Sequence, residues 1–113
     1  MLNGAELYAE LDKRFTRYDG RNDHSRPIVF ETFPHAIACS LAGKTVRARN
    51  KRVARRDLLN KFDVSCDELT NIDFVDAALC ALTADFFARR QYKKYGDSVE
   101  GYIVVPATEL DRA

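Results

Sequence analysis

Much that would place this sequence quickly is missing from it. Only three of its 113 residues are cysteine, at 39, 66 and 80. The number is odd, no CxxC pair occurs, and the two histidines, His24 and His35, are too few to complete a structural zinc site. A disulfide framework is excluded on the same count, and a reducing, cytoplasmic compartment is expected. The formal net charge is only +1, so no overall sign steers partners. The N-terminus, MLNGAELYAELDKRF, lacks the basic start and apolar run of a secretory signal. The longest apolar stretch, residues 77–88, is broken by Thr83 and Asp85, so no membrane span is expected. There is no Gly-rich phosphate loop, since AGK at 42–44 lacks every other element of one. Repeats and low-complexity segments are absent as well.

What is present fits one small soluble domain with one core: 46% hydrophobic and 31% charged residues. In residues 4–18, Leu7, Tyr8, Leu11, Phe15 and Tyr18 recur at steps of three and four, which predicts an amphipathic helix capped by Asn3 or Gly4. DGRNDHSRP, residues 19–27, reads as a loop. IVFETF, residues 28–33, is β-branched and aromatic and reads as a buried strand with Glu31 in its middle. Pro34 opens a short helix that stops at Gly43. A third helix is expected over residues 51–62 with Val53, Leu58, Leu59 and Phe62 inward. A long one is expected over residues 71–90, capped near Asn71. QYKKYGDS, residues 91–98, reads as a basic linker, and EGYIVVP, residues 100–106, as an extended segment. Four helices and two strand candidates make a helix-rich α/β chain with one central strand and a sheet that is incomplete. Either the chain is a mostly helical domain, or it is part of a larger α/β fold, or it completes its sheet by pairing with a second copy.

Three acids stand where burial is expected: Glu31 in the strand, and Asp73 and Asp76 three residues apart on the long helix. A buried carboxylate is costly unless it is paired, hydrogen-bonded or metal-bound. Convergence of these three would make an oxygen-rich site for magnesium or manganese, suited to phosphodiester cleavage. The plainer reading puts Asp73 at the positive end of its helix, Asp76 against an arginine from residues 47–56, and Glu31 in solvent. A second feature is the basic run of Lys44, Arg47, Arg49, Lys51, Arg52, Arg55, Arg56 and Lys61 against one acid, Asp57. It suggests phosphate contacts, or else a solvated helix face, and has no interleaved aromatics for base stacking. His35 reads as a helix-head or catalytic histidine. No cysteine has an evident histidine or acid partner, so a thiol nucleophile is not expected.

Three segments, VFETFPHA at 29–36, IDFVDAALCALTA at 72–84 and EGYIVVP at 100–106, resemble in order and spacing the C-terminal half of domain-of-unknown-function family 429. Its members are described as predicted RNase H-like nucleases. The resemblance covers roughly residues 5–106. It implies the C-terminal part of an RNase H-like fold, a mixed sheet flanked by helices. IVFETF would be the last sheet strand and residues 71–90 the final helix. It also implies that Asp76 or Asp73 is the acidic metal ligand of that helix, that Glu31 is the acid of the strand motif, and that Mg or Mn is the cofactor. The family's N-terminal strands, with their first-strand aspartate, have no counterpart here. The chain alone is therefore expected to lack a complete metal site and to be inactive. The alternative is a non-catalytic module that binds nucleic acid through the basic run, or forms a homodimer through an exposed sheet edge.

Overall fold

The computed structural model describes residues 3–21, 27–46 and 49–108. The first helix, α1 (Gly4–Leu11), is half the expected length. Its start is a capping box: Asn3 Oδ1 accepts from the Glu6 amide at 2.8 Å, and the Glu6 carboxylate accepts from the Asn3 amide at 3.3 Å. The chain then turns, with Arg17 donating to both Asp12 carboxylate oxygens at 2.8 and 3.0 Å. It runs into a short strand, β1 (Thr16–Arg17), that the helical spacing concealed. The stripe that predicted one long helix is divided between these elements. Leu7 and Phe15 are 47% and 39% exposed, whereas Tyr18, beyond the turn, is buried.

Strand β2 (Ile28–Val29) pairs in parallel with β1 in the register Thr16–Ile28 and Arg17–Val29. The expected six-residue buried strand reduces to these two half-buried residues, followed by a single parallel bridge from Glu31 to Ile103. Helix α2 (Pro34–Ala42) has proline at its first position and ends at Gly43, whose φ of 71° is the left-handed conformation that glycine adopts freely. Helix α3 (Lys51–Lys61) turns Leu58 and Leu59 inward, as expected, but leaves Val53 57% exposed. Arg55 takes the inward position instead. Helix α4 (Ile72–Ala88) is capped by Asn71, whose Oδ1 accepts from the Phe74 amide at 3.0 Å. Its buried residues, Val75, Leu79, Thr83, Phe86 and Phe87, form one stripe. Thr83 answers the polar cost of burial by donating to the Leu79 carbonyl at 2.8 Å.

Residues expected to be a linker form β3 (Tyr92–Asp97), which pairs antiparallel with β4 (Gly101–Pro106). Asp97 Oδ1 fixes the turn between them by accepting from the Val99 and Glu100 amides at 2.9 and 2.8 Å. Gly96 is required here. Its φ is 121°, and a Cβ at this position would lie 2.1 Å from the Gly101 carbonyl oxygen. Among the described residues the architecture is thus mixed α/β, with four helices and two two-stranded sheets joined by the Glu31–Ile103 bridge. Among the described residues, β1 pairs with β2 alone and β3 with β4 alone.

Two apolar clusters hold these parts together. The larger joins α2, α3 and α4 through Ile37, Leu41, Leu58, Leu59, Val75 and Leu79. The smaller gathers Tyr18, Phe87 and Val104, with Phe30, Tyr92 and Tyr102 packed against them. Burial of a single large side chain in such clusters is worth about 1.5–3 kcal/mol.

Candidate functional site

The three acids singled out in the sequence have separate surroundings. Glu31, at the junction of the two sheets, is exposed, and its Oε1 accepts a hydrogen bond of 2.7 Å from the Tyr8 hydroxyl. The Arg17 guanidinium lies 4.3 Å from the centroid of the Tyr8 ring. Burial, and then the bond to Glu31, push the Tyr8 phenol up to about 12, so at neutral pH it stays protonated and remains a donor. These groups line an open groove of about 340 Å³, together with Asp19, Glu100 and Tyr102. Glu31 and Glu100, acids of two separate sequence segments, therefore share one groove. Tyr8 and Glu100 were not anticipated. Nothing in the spacing of the EGY segment places Glu100 near Glu31.

Asp76 lies elsewhere. Its Oδ1 accepts a 2.6 Å hydrogen bond from Arg55 Nη1, and the two side chains are only 26% and 7% exposed. The pair is a charge-assisted clamp between α3 and α4. Asp73 is exposed in the first turn of α4, where its charge meets the positive end of the helix. Phe87, eleven residues after Asp76, packs against Phe30 with ring centroids 4.6 Å apart. At about 1.5 Å per residue, those eleven residues set the Asp76 level of α4 roughly 16 Å from the level of Phe30 and its neighbour Glu31. Among the described residues, no three His, Cys, Asp or Glu side chains lie together as metal ligands. Magnesium and manganese favour several convergent oxygens. These acids do not fit such a site: one is neutralised by arginine and another is bonded to a phenol at the far end of the helix.

The basic run also divides. Arg55 is buried in its ion pair. Arg56 is half-buried and donates to the carbonyls of Leu69 and Cys66 at 3.1 and 3.0 Å, which ties the loop before α4 to α3. Arg52 reaches the Thr70 carbonyl at 3.4 Å but is exposed, as are Lys44, Arg49 and Lys51. Arg47 lies outside the described residues. Arg49, Lys51 and Arg52 surround the start of α3. There Asn50 is left-handed and makes no side-chain cap, and the first turn holds no acid. Lys44 lines a shallow groove beside Ala54, Asp57 and Lys61 of α3. No described helix is long and apolar enough to cross a membrane.

A small mixed α/β unit with an incomplete sheet, an acid-lined groove on one side and a basic helix end on another is therefore the class to which the chain is assigned. It belongs to the family described as protein of unknown function (DUF429), whose model matches residues 1–100. No curated protein and no solved structure gives a significant match.

Proposed function

We propose that this chain is the phosphate-engaging, C-terminal part of an RNase H-like nucleolytic unit, and that alone it binds nucleic acid without cleaving it. The observation that carries this reading is the start of α3. Arg49, Lys51 and Arg52 are exposed around a helix end that is already positive and has neither a side-chain cap nor an acid in its first turn. Cations at that end repel the helix dipole and one another, so folding alone does not favour them there. A phosphate backbone supplies negative charge at that end and can accept from the first-turn amides of a helix. The proposal that the lone chain does not cleave is supported by the separation of these acids and by the arginine on Asp76.

The test is binding of fluorescent single-stranded and duplex oligonucleotides at several salt concentrations, beside incubation with manganese. With three or four phosphates engaged, log K should fall with log salt at a slope of about −3. The double variant Arg49→Glu and Lys51→Glu should abolish binding without unfolding the chain. Binding that ignores salt and both substitutions would remove the phosphate surface. Manganese-dependent cleavage lost in Asp76→Asn would overturn the claim that the lone chain is inactive.

A further inference from the structure

We propose that Cys39 is a modification site, a thiol that exchanges with small anionic disulfides while His35 takes its proton. The two residues are four apart in PHAIAC, which puts them on one side of α2. The His35 Nε2 lies 3.6 Å from the Cys39 Sγ. Proline at the head of α2, left-handed Gly43 at its foot, and the buried residues Ile37, Ala38 and Leu41 hold that helix in place, so the pair is a fixed feature of the fold. A third group converges on the sulfur: the Val46 amide donates to Sγ at 3.5 Å. The thiol lies in the wall of an open groove of about 370 Å³, whose other lining residues include Lys44, Thr45, Lys93 and Tyr95. The exposed Lys44 in this wall favours an anionic reagent, and a tripeptide disulfide with free carboxylates has the right charge.

The other two cysteines are less suited. Cys66 is buried, with its thiol turned to the carbonyls of Arg56 and Val64. The Cys80 thiol is pushed up by burial and by the nearby Asp76 carboxylate, which disfavours the nucleophilic thiolate.

With its ring proton on Nδ1, His35 accepts the Cys39 proton at Nε2 as the sulfur attacks one sulfur of the reagent. The S–S bond of the reagent breaks, a new S–S bond to Cys39 forms, and the proton passes to the departing thiolate. One thiol and one disulfide enter, and one thiol and one disulfide leave.

The experiment treats the full chain with oxidised glutathione and, separately, with cystamine, a disulfide of opposite charge, and follows each cysteine by peptide mass spectrometry. Cys39 should be modified by oxidised glutathione about tenfold faster than Cys66 or Cys80, and His35→Gln should remove most of that advantage. Lys44→Glu, an exposed position that the core does not need, should slow oxidised glutathione and speed cystamine. Circular dichroism checks that each variant is folded. Equal rates at Cys39 and Cys80, or a reagent preference untouched by Lys44→Glu, would overturn the assignment.

Discussion

Replacing Asp76 with alanine separates two roles for this carboxylate by their opposite effects on stability. In the fold described here Asp76 neutralises Arg55, whose side chain is only 7% exposed. Removing the acid leaves a buried guanidinium without its charge partner, a change that costs about 3–5 kcal/mol at fully buried sites. Asp76 is itself 26% exposed, so water reaches the pair, and about 3 kcal/mol is the appropriate figure. Unfolding entropy of about 2.1 cal/mol/K per residue gives roughly 0.24 kcal/mol/K for a chain of this size, so the melting temperature should fall by roughly 12 °C. A carboxylate held in a metal site against other carboxylates behaves in the opposite way, because its removal relieves repulsion and leaves stability unchanged or higher. The assay is thermal unfolding followed by circular dichroism, with Asp73→Ala as control. Asp73 is exposed at the helix start, and its loss should cost only about 0.3–1 kcal/mol. The double variant Arg55→Met and Asp76→Leu, which fills the same space with apolar groups, should recover most of the loss. A melting temperature for Asp76→Ala within about 2 °C of the parent would refute the clamp, since even 1 kcal/mol shifts it by about 4 °C.

Other contacts and helix ends give outcomes of their own. Ultraviolet titration should find the Tyr8 phenol ionising near 12, and Glu31→Gln should bring it down, because the carboxylate bond is one cause of the shift. The sign is that of a group whose folded value is raised. Its contribution is complete below the ordinary tyrosine value of 10.0 and is lost as pH climbs toward 12, so the stability deficit of Tyr8→Phe in chemical denaturation should be constant below pH 10 and shrink as pH rises toward 12. Gly96→Ala should destabilise the hairpin by several kcal/mol in chemical denaturation, since its Cβ would lie 2.1 Å from a backbone oxygen at a φ of 121°. Arg56→Ala should cost about 1–3 kcal/mol through two lost carbonyl anchors, whereas Lys51→Glu should stabilise α3 by about 0.3–1 kcal/mol while weakening nucleic-acid binding, which denaturation and anisotropy report separately.

The helices were legible where a local signal ends them. Pro34 and Gly43 bound α2, and Asn71 caps α4, each within a few residues of the element it delimits. The extended reading of EGYIVVP holds as β4, and IVFETF contains β2, but β1 and β3 were not legible, because pairing defines them. Nothing in YKKYGD alternates strongly, and β3 exists because the apolar GYIVVP strand lies beside it. Likewise Thr16 and Arg17 become a strand through their register with Ile28 and Val29. Within α3 the charge count concealed a division of labour. Val53 was expected inward on hydrophobicity, but Arg55 takes that place because Asp76 waits across the interface. The His35–Cys39 pair was open to reading from its spacing of four, since Pro34 already fixed the helix that carries it. The neighbourhood of Glu31 was beyond such reading, because Tyr8 and Glu100 come to it from opposite ends of the chain.

Manganese titration of the isotopically labelled chain, followed by paramagnetic broadening of its amide signals, tests most directly the claim that these acids serve different places. The predicted result is no common centre, with the signals around residue 31 and those around residues 73–76 keeping their intensity independently through submillimolar metal. Joint loss of both sets at the same low concentration would contradict the account and put the three carboxylates around one ion.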